Sequence, residues 1–509
     1  MTRRQIIVAS NRGPLSFVQD ESGNVVPRRG TGGLVTALSG ALHLSGGLWI
    51  ASAMTDEDRK QAAAGRLEVM AGGERHDVRY LAFDPEAYDG FYNGISNRVL
   101  WFLHHVLWDI PRAPRFDEAT QHAWDGYVEI NRGFARALAD EGEGSDERAY
   151  LVQDYHLSLV PAMLRDLQPG ARVAHFSHIP FADPGYLRIL PGPIRRALLE
   201  GLLGADLLGF QAEAWATNFL RSCQAHTEAA VDVEGRTISW KGRDVRVGVY
   251  PISIDVEALR ESAAGDEVSR ARRAVLRWRG DRKLLLRVDR AELSKNILRG
   301  FHAYEEFLRD HPEWRGKVVF LALLNPSRSD IPEYRTYVKD CRQAAERINE
   351  RFGRKGWAPV RLSVKDDLPM TLAAFGLNDA LLVNPVFDGM NLVAKEGPVL
   401  NERDGVLILS ENTGAYEELG RHALGINPFD VGETAAAIAS ALEMDASERA
   451  WRAAALREAV TANRLDRWVD AQLDDLEEVR AGRAAPAARP GVPRPRRPLP
   501  RGRPESPRT

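Results

Sequence analysis

Short apolar runs that end abruptly in polar or charged residues recur along most of the chain, with stretches of helical period between them. Gln5 to Ala9 reads as a strand running into Ser10-Asn11-Arg12-Gly13-Pro14, and the turn Arg29-Gly30-Thr31-Gly32-Gly33 opens an expected helix from Leu34 to Leu44. Trp101, Leu103, Val106 and Leu107 have helical spacing within an aromatic-rich stretch from Phe91 to Asp109. Further strands are expected at Tyr150 to Gln153, Arg172 to Ser177 and Ala205 to Phe210, with alternating strand material from Ile238 to Val249.

From about Pro251 the alternation begins again. Lys283 to Asp289, Val318 to Leu324, Val360 to Lys365, Asp379 to Val383 and Val406 to Ser410 read as buried strands, and Ile297 to Leu308 as an amphipathic helix. Thr434 to Leu442 and Glu448 to Leu473 are expected to be helical, the second crossing back onto the first domain. Strands alternating with helices twice over predict an α/β protein of two doubly wound Rossmann-like domains facing a cleft. The expected division is 1–250, 251–450, a returning C-terminal helix over 451–480, and a Pro/Arg-rich tail over 481–509 without a core of its own.

Composition narrows the class. At 509 residues the chain is long for one core, and 44% hydrophobic with 27% charged residues is a globular balance. From Ala481 onward eight arginines stand against Glu505 alone, so the body is more acidic than the net charge of -3 indicates, which argues against a nucleic-acid-binding core. Cys223 and Cys341 are too few for a disulfide framework or a zinc cluster and suit a reducing cytoplasm. The N-terminus lacks the long apolar run of a signal peptide, and no segment reaches the about 18 apolar residues of a membrane span. A homo-oligomer is compatible with all of this.

The stretch with most chemical content is Asn384 to Glu396, where a strand, a tight turn at Asp388-Gly389 and a helix capped by Asn391 aim backbone N–H groups at an anion. Glu396 sits where a carboxylate reaches ribose hydroxyls, and Pro398 implies a short or bent helix. An ordinary buried strand and capped helix would give the same pattern, so its partners decide. Asp154 and His178 follow strands, at the carboxyl ends where an open parallel sheet takes its ligand. Tyr92 and Trp101 have polar tips suited to a cleft, whereas His104 and His105 read as structural, having no further metal ligands nearby.

Four stretches in this order, SNRGP with GTGGL, VQDYH with HFSHIPF, RVDRAELSKN and NPVFDGMNLVAKE, resemble the trehalose-6-phosphate synthase family of retaining glycosyltransferases, its actinobacterial branch above all. The resemblance runs from about Ile6 to about Asp475 and implies a GT-B fold and glucosyl transfer from UDP-glucose or GDP-glucose to glucose 6-phosphate. It implies that Arg287 and Lys295 hold the leaving diphosphate, that His178 lies near the donor sugar, and that Asp388, Gly389, Met390, Asn391, Leu392 and Val393 lie against donor and diphosphate. Glu396 would hold the ribose, while Gly32 and Gly33 approach the donor. Arg12, Tyr92, Trp101 and Arg328 would form the acceptor's phosphate pocket, and Asp154 would bond acceptor hydroxyls. The implied route is a front-face displacement without a protein nucleophile, unlike the two-carboxylate glycosidases. No metal and no cofactor are expected, the partners being a nucleotide sugar and a sugar phosphate.

Two departures stand out: Phe387 where many relatives carry Arg, and a single tryptophan in Leu48-Trp49-Ile50-Ala51-Ser52. Two alternatives remain at this level. One is a relative coupling a nucleotide-linked cyclitol to an aminocyclitol phosphate. The other is a catalytically retired sugar-phosphate sensor.

Overall fold

Apolar runs without alternation become strands buried on both faces, and such strands pair in parallel with helices covering both sides. In the N-terminal half β1 (Ile6–Ser10), β4 (Leu48–Ser52), β7 (Ala149–Gln153), β8 (Arg172–Ser177) and β9 (Leu207–Phe210) are of this kind, and β2 (Leu15–Gln19), β3 (Val25–Arg29), β5 (Arg66–Ala71), β6 (Glu74–Leu81), β10 (Ala230–Asp232), β11 (Thr237–Trp240) and β12 (Arg243–Val249) complete the set. β2 and β3 form a separate hairpin, and the others build one sheet in the order β10-β11-β12-β9-β8-β7-β1-β4-β6-β5. Its interior pairs are parallel, and antiparallel pairs finish both edges. The computed structural model describes residues 6–20, 22–30, 35, 38, 47–71, 74–142, 148–328, 331–480 and 482.

The C-terminal half carries β13 (Lys283–Arg290), β14 (Val318–Asn325), β15 (Val360–Val364), β16 (Ala380–Val383), β17 (Val406–Ser410) and β18 (Leu424–Ile426). They stand in the order β15-β14-β13-β16-β17-β18, every neighbouring pair parallel. In both sheets the winding reverses beside the half's first strand. β1 lies between β4 and β7, and β13 between β14 and β16. A reversal leaves a crevice at the strands' carboxyl ends, because the helices on either side depart to opposite faces. Two Rossmann-like domains thus each present one crevice, as the pattern predicts.

Three expectations need correction. The helix after Asp84 is continuous but not uniform: Pro85–Asp89 and Trp101–His104 flank an eleven-residue π-helical stretch, Gly90–Leu100. Its end is marked by the Trp101 N–H bonding back five residues to Ser96 O. Tyr92 and Asn97, five residues apart, both lie on this stretch. Glycines let this stretch lie against the helix Glu118–Gly142, where a Cβ on Gly94 would stand 2.7 Å from the Ala123 Cβ. The helix ends at His104, and Val106 turns left-handed with φ 53, so Val106 and Leu107 lie outside it.

The expected helix from Glu448 to Leu473 is two helices, Ala446–Ala462 and Asp466–Arg480. The first stays on the C-terminal domain, and only the second packs on β8 and β9. The break comes at Asn463, whose amide donates to Pro251 O at 3.2 Å and to Glu418 Oε1 at 2.7 Å. The Trp468 indole then bonds Tyr250 O at 3.0 Å. Thus both chain crossings between the domains meet at one place. The third correction concerns Arg287 and belongs to the site.

Gly32 and Gly33, most of the helix expected from Leu34, and the tail expected to be disordered (482 apart) lie outside the described residues. Among the described residues no helix is long and apolar enough to cross a membrane, and Cys223 and Cys341 are buried free thiols.

Candidate active site

On the C-terminal side, β13 ends at Arg290 and passes through Ala291 and Glu292 into a short 3-10 turn, Leu293–Lys295. Asn296 takes a left-handed conformation with φ 58 and starts the helix Ile297–Asp310. Its amide bonds Asn384 O at 2.9 Å and Pro428 O at 2.8 Å, fixing this loop against the one after β16. Lys295 Nζ consequently reaches the Asp388 carboxylate, which also accepts from Asn391 Nδ2 at 3.0 Å. Burial alone would push the Asp388 carboxyl up, but Lys295 outweighs it and holds it below its ordinary value.

Asn391, left-handed with φ 77, accepts at Oδ1 from Ala394 N–H at 3.2 Å and so caps the helix Val393–Leu400, with Pro398 inside it. The N–H groups of Lys395 and Glu396 share Leu392 O, both at 2.8 Å, and the helix dipole makes the loop end electropositive. Glu396 lies in the first turn, rather than more than one turn in as the strand-turn-helix pattern predicts. Burial pushes its carboxyl up to about 7. Met390 is buried, and Leu392 and Val393 are half-buried beside it. Lys395 is a structural cation, fully buried against Glu418 and Ile252 O.

Arg287 is not a cleft residue. It is 0% exposed in the interior of β13, where its donors go to Asp289, Ile297 O, Lys295 O and Asn384 Oδ1. A guanidinium in such surroundings is tolerable only with its donors satisfied. Four of its five N–H donors are thus spent inside the fold, and its full burial keeps it from a diphosphate in the cleft. Arg290, at the strand's carboxyl end with its side chain half-exposed, stands where the leaving-group cation was expected. The rule that ligands lie off strand ends points to Arg290, and the sequence reading did not apply it within this motif.

On the N-terminal side Arg12 follows β1, its Nη2 donating to Tyr92 OH at 3.1 Å. The Trp49 indole donates to Ser10 Oγ at 2.7 Å, and that hydroxyl donates to Arg12 O at 2.6 Å, so the single tryptophan of its stretch steadies this turn. Arg328 arrives from the other domain, left-handed at φ 45, with its guanidinium 3.9 Å from the Trp101 ring centroid. Its Nε donates to Asn97 Oδ1 at 2.9 Å. Burial pushes the Tyr92 phenol up, yet Arg12 and Arg328 outweigh it and hold it below its ordinary value. Two cations therefore converge on one spot, and the buried indole nitrogen of Trp101 and amide nitrogen of Asn97 have no hydrogen-bond partner there. Asn97 had no signal in the sequence beyond its place in the aromatic stretch.

Asp154 follows β7 with φ 71 and accepts from His178 N–H at 3.1 Å, and burial pushes its carboxyl up to about 6. The His178 ring has no nitrogen to spare. Ile252 N–H bonds Gln211 Oε1 at 2.9 Å, which turns the Gln211 amide nitrogen towards His178 Nδ1 at 3.2 Å. His178 Nε2 then carries the proton and donates to Gln153 Oε1 at 3.0 Å. Burial pulls this imidazole down to about 3, so it is neutral and serves as a fixed wall, not as a proton carrier. His105 is likewise buried and stacked on Trp101 at 3.9 Å.

The domains touch at the donor loop. Trp215 Nε1 donates to Gly389 O at 3.0 Å, and Phe387 meets the Trp215 ring edge-on. Glu417 caps the helix Glu213–His226 across the cleft, accepting from the N–H groups of Glu213 at 2.9 Å and Ala214 at 3.1 Å. A Cβ on Gly389 would stand 1.9 Å from His178 O, so only glycine allows this approach.

The profile described as Glycosyltransferase family 20 matches residues 4–478. A bifunctional trehalose-6-phosphate synthase/phosphatase from Thermoproteus tenax is 35% identical over 91% of the chain, which spans 62% of that relative. A validamine 7-phosphate valienyltransferase from Streptomyces hygroscopicus subsp. jinggangensis is 33% identical over 96% of this chain and 97% of its own length. Among solved structures, an E. coli trehalose-6-phosphate protein bound with UDP-2-fluoro glucose superimposes with TM-score 0.81 at 30% identity, over 93% of this chain and 99% of that one. The Burkholderia multivorans alpha,alpha-trehalose 6-phosphate synthase gives 0.82 at 30%, covering 94% and 97%. With two crevices facing one another and a match that spans both domains, the chain belongs to glycosyltransferase family 20 and has the GT-B fold.

Proposed function

We propose that this glycosyltransferase moves a glucosyl unit from UDP-glucose or GDP-glucose to glucose 6-phosphate with retention, giving α,α-trehalose 6-phosphate. The observation that carries the reading is the convergence of Arg12 and Arg328, from opposite domains, on Tyr92 and Trp101. Such a pocket suits a phosphorylated acceptor, since a bare sugar brings no anion to Arg12 and leaves Arg328 with the buried Glu292 alone. On the donor side Arg290, Lys295 and the positive end of the helix Val393–Leu400 face the growing charge of a leaving diphosphate, and Glu396 faces the ribose. Asp154 orients the acceptor hydroxyl. The leaving phosphate takes its proton, and no side chain acts as nucleophile. No metal is needed where these cations do the neutralising.

The valienyltransferase relative, matched along nearly its whole length, favours a second reading: coupling of a nucleotide-linked cyclitol to a phosphorylated aminocyclitol. Phe387 is consistent with it, since an aromatic ring packed on Trp215 adds no charge near the donor. An assay of purified protein with UDP-glucose, GDP-glucose and a nucleotide-linked cyclitol against glucose 6-phosphate, free glucose and a phosphorylated aminocyclitol separates the two. The first reading expects a disaccharide phosphate, with free glucose poorer by roughly 100-fold or more. Turnover with the cyclitol donor alone would replace it by the second.

A further inference from the structure

One buried acid in the cleft has no part in the reading above. Glu292 is 0% exposed, sits in the segment from Arg290 to Lys295 and turns its carboxylate to the loop that carries Arg328. Three donors meet on one oxygen: Oε1 lies 2.9 Å from Arg290 Nη1, 3.1 Å from Arg328 Nη1 and 2.7 Å from Ser327 Oγ. Oε2 is buried without a hydrogen-bond partner. Its backbone takes part as well, since Glu292 N–H bonds Arg290 O at 2.8 Å and Lys295 N–H bonds Glu292 O at 3.1 Å.

A carboxylate that only neutralised one arginine would offer both oxygens to one guanidinium fork. Here one oxygen is shared by two guanidiniums, leaving the other idle, so the place of either arginine depends on that of its fellow. Burial opposes ionisation, but Arg290, Arg328 and Lys295 outweigh it and hold the carboxyl down to about 2. The charge is therefore present throughout the working range of an enzyme. Arg328 also reaches across the cleft to Asn97, so its position depends on the opposite domain too.

We infer that Glu292 is a positioning residue that links the donor's diphosphate cation to the acceptor's phosphate cation, so that either anion, once bound, orders the site for the other. This rests on the reading of the site given above. An anion on Arg328 fixes that guanidinium, the shared oxygen transmits the constraint to Arg290, and the second anion arrives at a side chain already ordered.

The test is calorimetric titration of full-length protein with UDP and with GDP, each alone and with saturating glucose 6-phosphate, followed by the reverse titrations. Wild type, Glu292→Gln and Glu292→Asp are compared, with melting temperatures and steady-state kinetics beside them. Wild type is expected to bind the better nucleotide at least fivefold more tightly when glucose 6-phosphate is present. Glu292→Gln should lose most of that factor and at least tenfold in kcat, with smaller changes in the two separate affinities. Glu292→Asp, which keeps the charge, should recover part of both. Should Glu292→Gln not fold, Ser327→Ala removes one donor from Oε1 and should lower the coupling factor about twofold. Coupling within twofold of wild type in folded Glu292→Gln, with only the melting temperature lowered, overturns the inference and leaves the site reading standing. If wild type binds neither nucleotide, both fall.

Discussion

The two crevices follow one winding rule and are finished differently. Behind the donor side, Lys295, Asp388 and Asn391 belong to the C-terminal domain and are fixed by contacts within it, while Arg290 of the same domain also lies over the Trp101 ring, 5.6 Å from its centroid. The acceptor side borrows, since Arg12, Tyr92, Trp101 and Asn97 come from the N-terminal domain but Arg328 from the other. On the proposed reading a nucleotide sugar meets mainly the C-terminal domain, whereas the acceptor's anion meets side chains of both domains.

The largest expected effect separates two arginines three residues apart. Arg290→Ala and Lys295→Ala should each lower kcat by roughly 100-fold or more, as loss of a group facing developing charge does, with the melting temperature near wild type for Arg290→Ala and lowered for Lys295→Ala, which leaves Asp388 unpaired. Arg287→Ala should instead strip the buried Asp289 and Asn384 of their partner and destabilise the fold by about 3–5 kcal/mol. Thermal melts beside steady-state rates check this. A stable Arg287→Ala enzyme with kcat reduced as in Arg290→Ala would break the distinction.

Next comes the borrowed cation. Arg328→Ala should remove most of the preference for glucose 6-phosphate over glucose, about 2–3 kcal/mol in kcat/KM, while nucleotide affinity changes by less than threefold. Equal losses of donor and acceptor affinity would show that the two sides are not separable.

A smaller effect lies in pH. In the unliganded site burial pushes the Glu396 carboxyl up to about 7, and the protonated acid is the poorer acceptor for ribose hydroxyls. Raising pH from 6 to 8 should thus improve kcat/KM for the nucleotide sugar several-fold, and Glu396→Gln should flatten that limb. The sign for stability runs the other way, because a raised carboxyl pKa makes the fold less stable as pH rises through 7. The smallest effect is expected from chelation: EDTA should leave turnover within twofold, and an absolute need for added magnesium would transfer the diphosphate's neutralisation from side chains to an ion.

Much of the donor side was legible in the sequence because it is local. Strand, turn, cap and helix follow one another from Asp379 to Leu400, and each has its own residue signal. Arg287 misled because a motif shows that a cation is near a strand's end but not on which residue the strand stops. His178 could be placed at a strand's end, while Gln153 and Gln211, which tie up both ring nitrogens, come from other strands' ends. The acceptor pocket was legible only by resemblance, since residues 12, 97 and 328 are joined by nothing but the fold. The break at Asn463 escaped because helical period continues across it, and what stops the helix is a bond to distant Pro251.

The absence of a side chain at position 389 is also a mechanical opportunity. Gly389 does not need a left-handed backbone, so alanine there suits the C-terminal domain on its own. Only the meeting with His178 O forbids it. One methyl group would then work as a wedge in a hinge, leaving each half well formed and the pair held ajar. Such a protein would isolate the open form as a chemical species, with a nucleotide at home in one half and the sugar phosphate waiting for a door that cannot shut.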